Sequence, residues 1–274
     1  MGVPRVGVEA GKDEGRQGDA LFELRGVVKR FGSVEALVGV DLRIRRGETT
    51  VILGPSGCGK TVLLKHLVGL MRPDRGEVYF DGVRIDQVRE RELVAVRRRC
   101  GFLFQAGALF DSETVYGNVA FPLLHHTQLP VERIREIVAE KLAMVRIEGM
   151  EDRLPAELSG GQQRRVALAR AIALSPEAIL YDEPTTGLDP IRAETINDLI
   201  NRLSEELEIT SVVVTHDLHS AYKIGDRLVM MSEGQLIADG TPEEIRRSKD
   251  ERVQGFLQGR SMDEFAAGSE RSQG

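Results

Sequence analysis

Thr49-Thr50-Val51-Ile52-Leu53-Gly54-Pro55-Ser56-Gly57-Cys58-Gly59-Lys60-Thr61-Val62-Leu63-Leu64-Lys65 is the stretch on which the fold turns. Its first five residues predict a buried strand, the glycines a loop, and the run from Lys60 to Leu70 a helix. Strand, glycine loop and helix make one half of a βαβ unit. Gly54, Pro55, Ser56, Gly57, Cys58 and Gly59, followed by Lys60 and Thr61, fit the phosphate-loop pattern. Glycines let backbone N–H groups turn inward as an anion cradle at a helix N-terminus, where the helix dipole favours phosphate. Lys60 then reaches the β- and γ-phosphates of a nucleotide, and the Thr61 hydroxyl is a ligand for Mg2+. Cys58 has no base beside it in sequence and reads as a small tolerated side chain.

Downstream, Ala178-Ile179-Leu180-Tyr181-Asp182-Glu183 is a second apolar strand ending in two carboxylates. Asp182 is expected to hold the Mg2+ shell, and Glu183 to polarise an attacking water. Ser211–Thr215 is a third strand, followed by His216, a candidate γ-phosphate contact. Gln105, after Gly101–Phe104, is a further candidate for the Mg2+ or the water. Each strand precedes a helix-competent stretch, which implies parallel pairing with all carboxyl ends facing one crevice. A second anion site is expected at Ser159-Gly160-Gly161-Gln162, where a serine cap opens a helix through Arg164-Arg165-Val166. Two anion sites in one chain suggest that the second serves a nucleotide held by another copy.

Around this core, residues 1–19 read as a flexible Gly-rich charged tail, and strand-like runs begin at Leu21 and cover Val38–Ile44. A hairpin is expected at Asp81-Gly82 and another at Glu233-Gly234. From about 106 to 174 the strand signal disappears, and Val131, Ile134, Val138, Leu142 and Val145 recur at helical spacing, which reads as a helical insert. A helix starts near Pro242 with Thr241 as its cap. Arg97-Arg98-Arg99 reads as a solvated helix face. The fold class is therefore α/β with an antiparallel β subdomain and an inserted α-helical subdomain.

The chain has 274 residues, 41% hydrophobic and 29% charged, without Trp. That composition describes a globular protein and excludes disordered or collagenous chains. A net charge of -6 argues against nucleic acid as the main partner. Two cysteines are too few for a disulfide framework, which points to a reducing compartment. The first 20 residues lack an apolar signal region, and Val6 stands where a myristoylation signal needs Ser or Thr. The longest uncharged stretch, Thr114 to Val131, holds two prolines, Asn118 and two histidines, and cannot span a bilayer. A cytoplasmic protein is expected.

Taken in order, the phosphate loop, Gln105, Leu158-Ser159-Gly160-Gly161-Gln162, Asp182-Glu183, Leu188-Asp189 and His216 resemble the ATP-binding cassette of ABC transporters, over residues 20–245. The resemblance implies a P-loop NTPase (RecA-like) core that binds and hydrolyses ATP with Mg2+. It implies that Phe31 stacks on adenine and that Asp189 and Ser159 to Gln162 belong to the nucleotide site. By it, Ser159 to Gln162 complete the site of an opposing second copy, the two closing head to tail, and a membrane permease docks near 106–121 and holds the cassette at the inner face of the cell membrane.

A narrower resemblance rests on Gln105-Ala106-Gly107-Ala108-Leu109-Phe110, Asn118-Val119-Ala120-Phe121-Pro122-Leu123 and His126-Thr127-Gln128-Leu129-Pro130, which look like cassettes of Mce-type lipid transporters. It implies lipid cargo and Mce-type lipid-binding subunits as partners. Gln162 departs from that pattern, which has Met there; Gln is the wording of amino-acid importers, the near rival. A soluble ABC ATPase acting on DNA or ribosomes carries two cassettes or a long coiled coil, and this chain has neither. The C-terminal extension, 246–274, carries the apolar cluster Val253, Phe256 and Leu257, expected to strap onto a neighbouring chain.

Overall fold

The computed structural model describes residues 20–259; the expected tail 1–19 and the end of the extension, 260–274, lie outside the described residues. Two sheets form the frame. The first is antiparallel, in the order β2 (Val34–Arg45), β1 (Ala20–Phe31), β4 (Arg75–Phe80), β5 (Val83–Arg84). Along β2, Val40, Leu42 and Ile44 are buried and their neighbours are not, the period-two pattern of a sheet with one wet face.

The second sheet runs β10 (Gln235–Gly240), β9 (Arg227–Ser232), β3 (Thr49–Leu53), β8 (Thr210–Thr215), β7 (Ala178–Asp182), β6 (Cys100–Leu103). Its five strands from β9 to β6 pair in parallel, and β10 closes the edge antiparallel. Every residue of β3, β7 and β8 is buried, because helices cover one face and a helix together with the antiparallel sheet covers the other; hence the unbroken apolar and β-branched runs. The expected hairpins are present, with Asp81-Gly82 joining β4 to β5 and Glu233-Gly234 joining β9 to β10.

Between β6 and β7 the chain is helical: α3 (Val115–His126), α4 (Val131–Met144) and α5 (Gly160–Ala171). Ile134, Val138 and Leu142 line the buried face of α4, and Val145 follows just beyond it. Val131, which the spacing put on the same face, is 50% exposed, because it opens the helix outside the packed region. The helix after the phosphate loop, α1 (Lys60–Leu67), stops short of Leu70, and Gly69 at φ +65° supplies the left-handed residue that ends it. Of the arginine run, Arg98 is exposed as expected, but Arg97 and Arg99 are tied down. Arg97, in α2 (Glu90–Arg98), donates to the Val68 and Gly69 carbonyls, and Arg99 pairs with Asp81 and Glu177 over the Phe80 ring.

After α6 (Pro190–Leu207) and α7 (Leu218–Ile224), the described residues close with α8 (Pro242–Arg246), capped by Thr241, and α9 (Glu251–Leu257). Here the structure corrects the sequence reading. Val253 is fully buried in the core of its own chain, with Phe256 and Leu257 packed beside it, so the cluster does not wait for a neighbour. Seven residues of helix show no periodicity that would reveal this. Val253→Ala removes two buried carbons, about 1.6 kcal/mol at roughly 0.8 kcal/mol each. We expect the isolated chain to melt about 3–6 °C lower. An unchanged Tm would return the cluster to an intermolecular role. No described helix is long and apolar enough to cross a membrane.

Candidate functional site

Four neighbouring parallel strands, β3, β8, β7 and β6, end at one edge, and in register: Leu53 pairs with Thr215, Asp182 with Val214, and Leu103 with Tyr181. The residues that follow those ends are Gly54, His216, Glu183 and Phe104-Gln105, so the sheet itself gathers the predicted side chains. The Glu183 amide still donates to the Val214 carbonyl at 2.9 Å, which continues the ladder one residue past β7.

The phosphate loop is wedged from behind. Gly59 has φ +108°, and a Cβ there would collide with the Ala36 carbonyl oxygen; one on Gly54 would strike the Met231 carbonyl oxygen. Only glycine passes at these two positions. The Gly234 amide donates to the Cys58 carbonyl at 3.1 Å, so the β9–β10 turn buttresses the loop. Cys58 is 7% exposed, and burial pushes its thiol above the ordinary range, which makes it inert and supports its reading as a filler.

Inside the loop, Lys60 Nζ donates to the Gly54 and Pro55 carbonyls at 2.8 and 3.0 Å and lies 3.6 Å from Glu183 Oε1. Thr61 Oγ1 donates to Asp182 Oδ1 at 2.8 Å, joining residues 121 apart in sequence. Burial holds the Asp182 carboxyl above its usual range, with the Glu183 charge adding to it. A hydroxyl and a desolvated carboxylate meeting beside a lysine fit the oxygen-donor needs of Mg2+ with nucleotide phosphate. His216 Nδ1 lies 2.9 Å from Glu183 Oε2, so Nδ1 carries the proton and donates. Thr186 Oγ1 donates to the same oxygen at 3.0 Å.

The other predicted residues sit apart from this cluster. Gln105 is exposed, and its carbonyl is fixed by Arg164 of α5, which also donates to the Thr186 carbonyl at 3.0 Å. Ser159 caps α5 in a closed box: its hydroxyl accepts from the Gln162 amide at 3.4 Å, and its amide donates to Gln162 Oε1 at 2.8 Å. The Ser159 hydroxyl keeps its own proton for a further acceptor. Gly160 and Gly161 lie against Leu188 and Arg192. Asp189 caps α6, accepting from the Arg192 amide at 3.0 Å. None of the hydrogen bonds of Ser159, Gln162 or Asp189 reaches the phosphate loop of the same chain. Phe31 closes β1 with 48% of its surface exposed.

Sequence reasoning missed Thr186, Arg164 and the buried group beneath them. Thr185 Oγ1 is 3.4 Å from Ser220 Oγ, and Ser220 Oγ accepts from Asn197 Nδ2 at 2.9 Å and donates to Asp217. Only a side-chain network could have revealed these; their spacing carries no motif.

A separate aromatic surface lies between Gln105 and the end of α3. Phe110 and Phe121 stack with centroids 4.6 Å apart, and His125 follows Phe121 at 4.2 Å. Phe110, Phe121 and Leu124 are 40, 38 and 55% exposed. Fully buried Asn118 shapes this surface, accepting from the Phe110 amide at 2.8 Å and donating to the Phe110, Glu113 and Thr114 carbonyls.

The model of the family described as ABC transporter matches residues 37–186. The chain is 46% identical to the intermembrane phospholipid transport system ATP-binding protein MlaF of Haemophilus influenzae, over 88% of this chain and 91% of that one. It is 41% identical to the probable ribonucleotide transport ATP-binding protein mkl of Mycobacterium tuberculosis, over 92% of this chain and 70% of that one. Among solved structures, it resembles the dimeric post-hydrolysis state of the ATP-binding cassette MJ0796 bound to ADP and Pi, with a TM-score of 0.75 and 37% identity over 81% of this chain and 98% of that one.

Proposed function

The chain belongs to the ABC transporter ATPase family, and from that premise we propose that it is the ATP-hydrolysing subunit of a phospholipid transport system that moves lipid between membranes. The ATPase reading is carried by the meeting of Lys60, Thr61, Asp182, Glu183 and His216 at one sheet edge. The cargo follows the 46% identity to the phospholipid transport protein, nearly end to end. Gln162, the wording of amino-acid importers, has a local cause here: its amide closes the helix cap, which needs Glu or Gln at that position.

Backbone amides of the phosphate loop, Pro55 having none to offer, and the Lys60 ammonium bind the nucleotide phosphates, and the exposed Phe31 ring offers a face to adenine. Thr61 and Asp182 would hold Mg2+, with Gln105 as a further ligand once it is brought to them, and the ion would neutralise charge on the phosphates. Glu183 takes a proton from water as the water oxygen attacks the γ-phosphorus and the bond to ADP breaks. His216 holds Glu183 and stands at the γ-phosphate end. Asp189 belongs to the nucleotide site, and Ser159 to Gln162, whose hydrogen bonds do not reach their own phosphate loop, serve the nucleotide of a second copy, head to tail; the dimeric relative supports this.

The partner is an integral membrane permease, with Mce-type lipid-binding subunits beyond it, seating this chain on the inner face of the membrane. The permease docks on 106–121 and the aromatic surface there. Purification from detergent-solubilised membranes should bring down that permease. A Phe121→Asp, Leu124→Asp double variant should lose it at least tenfold while the purified subunit binds ATP as before. Undiminished recovery would move the docking site elsewhere, and an amino-acid permease in its place would replace the lipid reading.

A further inference from the structure

The carboxylate of Glu183 is held on one side only. His216 Nδ1 and Thr186 Oγ1 both donate to Oε2, at 2.9 and 3.0 Å, which occupies the two lone pairs of that oxygen. Oε1 accepts neither donor and faces Lys60 Nζ at 3.6 Å, toward the phosphate loop. From this geometry we infer that Glu183 receives the proton of the attacking water on Oε1, and that Thr186 is a positioning residue that fixes this choice. The inference rests on the reading of Glu183 as the base.

The local backbone is built for the contact. Glu183 has φ +49°, a left-handed conformation that non-glycine residues adopt at a cost. The bend turns the chain so that the Thr186 amide donates to the Glu183 carbonyl at 3.3 Å, which brings the Thr186 hydroxyl back over the carboxylate three residues before it. The turn is clamped from two sides. Arg164, 8% exposed, grips the Thr186 carbonyl, and Thr185, 7% exposed, rests on the Ser220–Asn197–Asp217 group. With the backbone so held, the Thr186 hydroxyl has little freedom and presents its proton to Oε2. Without it, His216 is left holding Oε2, and the carboxylate plane is free to turn and carry Oε1 off its line to Lys60 and the phosphates.

Thr186→Val keeps the shape and removes the donor; Thr186→Ser keeps the donor; Thr186→Ala serves if the valine variant does not fold. In steady-state ATPase assays of the full chain, the valine and alanine variants should lose about tenfold in kcat, a modest misplacement penalty. Their KM for ATP should stay within about twofold, because no phosphate contact is lost, and serine should restore most of the rate. Adding Thr186→Val to Glu183→Gln should cost nothing further, since Thr186 acts through that carboxylate. A normal kcat in both Thr186→Val and Thr186→Ala, beside an inactive Glu183→Gln, would overturn the inference and leave the base reading standing. An equal tenfold loss in the Glu183→Gln background would overturn it too. Near-normal turnover by Glu183→Gln would remove the base and the inference together.

Discussion

Glu183→Gln should bind ATP as tightly as the parent chain and lose turnover by roughly 10²–10⁴-fold, the usual worth of a general base. The glutamine is nearly isosteric, and its amide oxygen can still accept from His216 and Thr186, which now hold Oε2. What disappears is the negative charge and the ability to take a proton. The contacts of Thr61 with Asp182, and of Lys60 with the Gly54 and Pro55 carbonyls, do not involve Glu183 and should persist. The variant also removes the charge that lies 3.6 Å from Lys60, so phosphate meets no new obstacle there. Fluorescent-nucleotide binding and phosphate release measured on one preparation decide it. Weak binding together with slow turnover would make Glu183 a structural anchor for the loop; near-normal turnover would end its role as base.

Ser159→Arg should also abolish hydrolysis, by a different route. Ser159 is exposed and touches only its own helix cap. Losing the cap costs about 1 kcal/mol, too little to unfold a chain of this size. A bulky cation at that helix end blocks the close approach of a second copy. The isolated variant should therefore bind ATP on its own Lys60 with unchanged affinity, yet release almost no phosphate, whereas Ser159→Ala should retain measurable activity. Mixed with Lys60→Ala, it can form no more than one intact composite site per dimer. If Ser159→Arg alone lost nucleotide binding, its role would lie within its own chain.

The residues that gather at the sheet edge were legible in the sequence because the chemistry proposed for them restricts their types. Phosphate demands the glycines around Lys60, and a strand that ends in Asp182-Glu183 needs no partner to stand out. Parallel pairing followed from strands alternating with helices, and it alone predicts that His216 and Glu183 meet. The supporting residues were not legible. Arg164 reaches the Gln105 and Thr186 carbonyls, 59 and 22 residues away, and a side-chain bond to backbone carries no preferred spacing. Thr186 looked like one turn residue among several until its hydroxyl was placed on Oε2. The misreading of Val253 has the same origin. An apolar cluster in a short polar segment reveals that it will be buried, but not against what, and β10 with α8 of the same chain supplies the surface.

We propose that each ATP site is completed by the Ser159 end of a second copy. It is tested most directly by the mass of the Glu183→Gln protein in ATP and Mg2+, measured by light scattering on a sizing column, with and without Ser159→Arg in the same chain. Glu183→Gln should run as a dimer, and the double variant as a monomer that still binds ATP. A Glu183→Gln protein that stays monomeric while saturated with ATP, or a double variant that dimerises equally well, would contradict it.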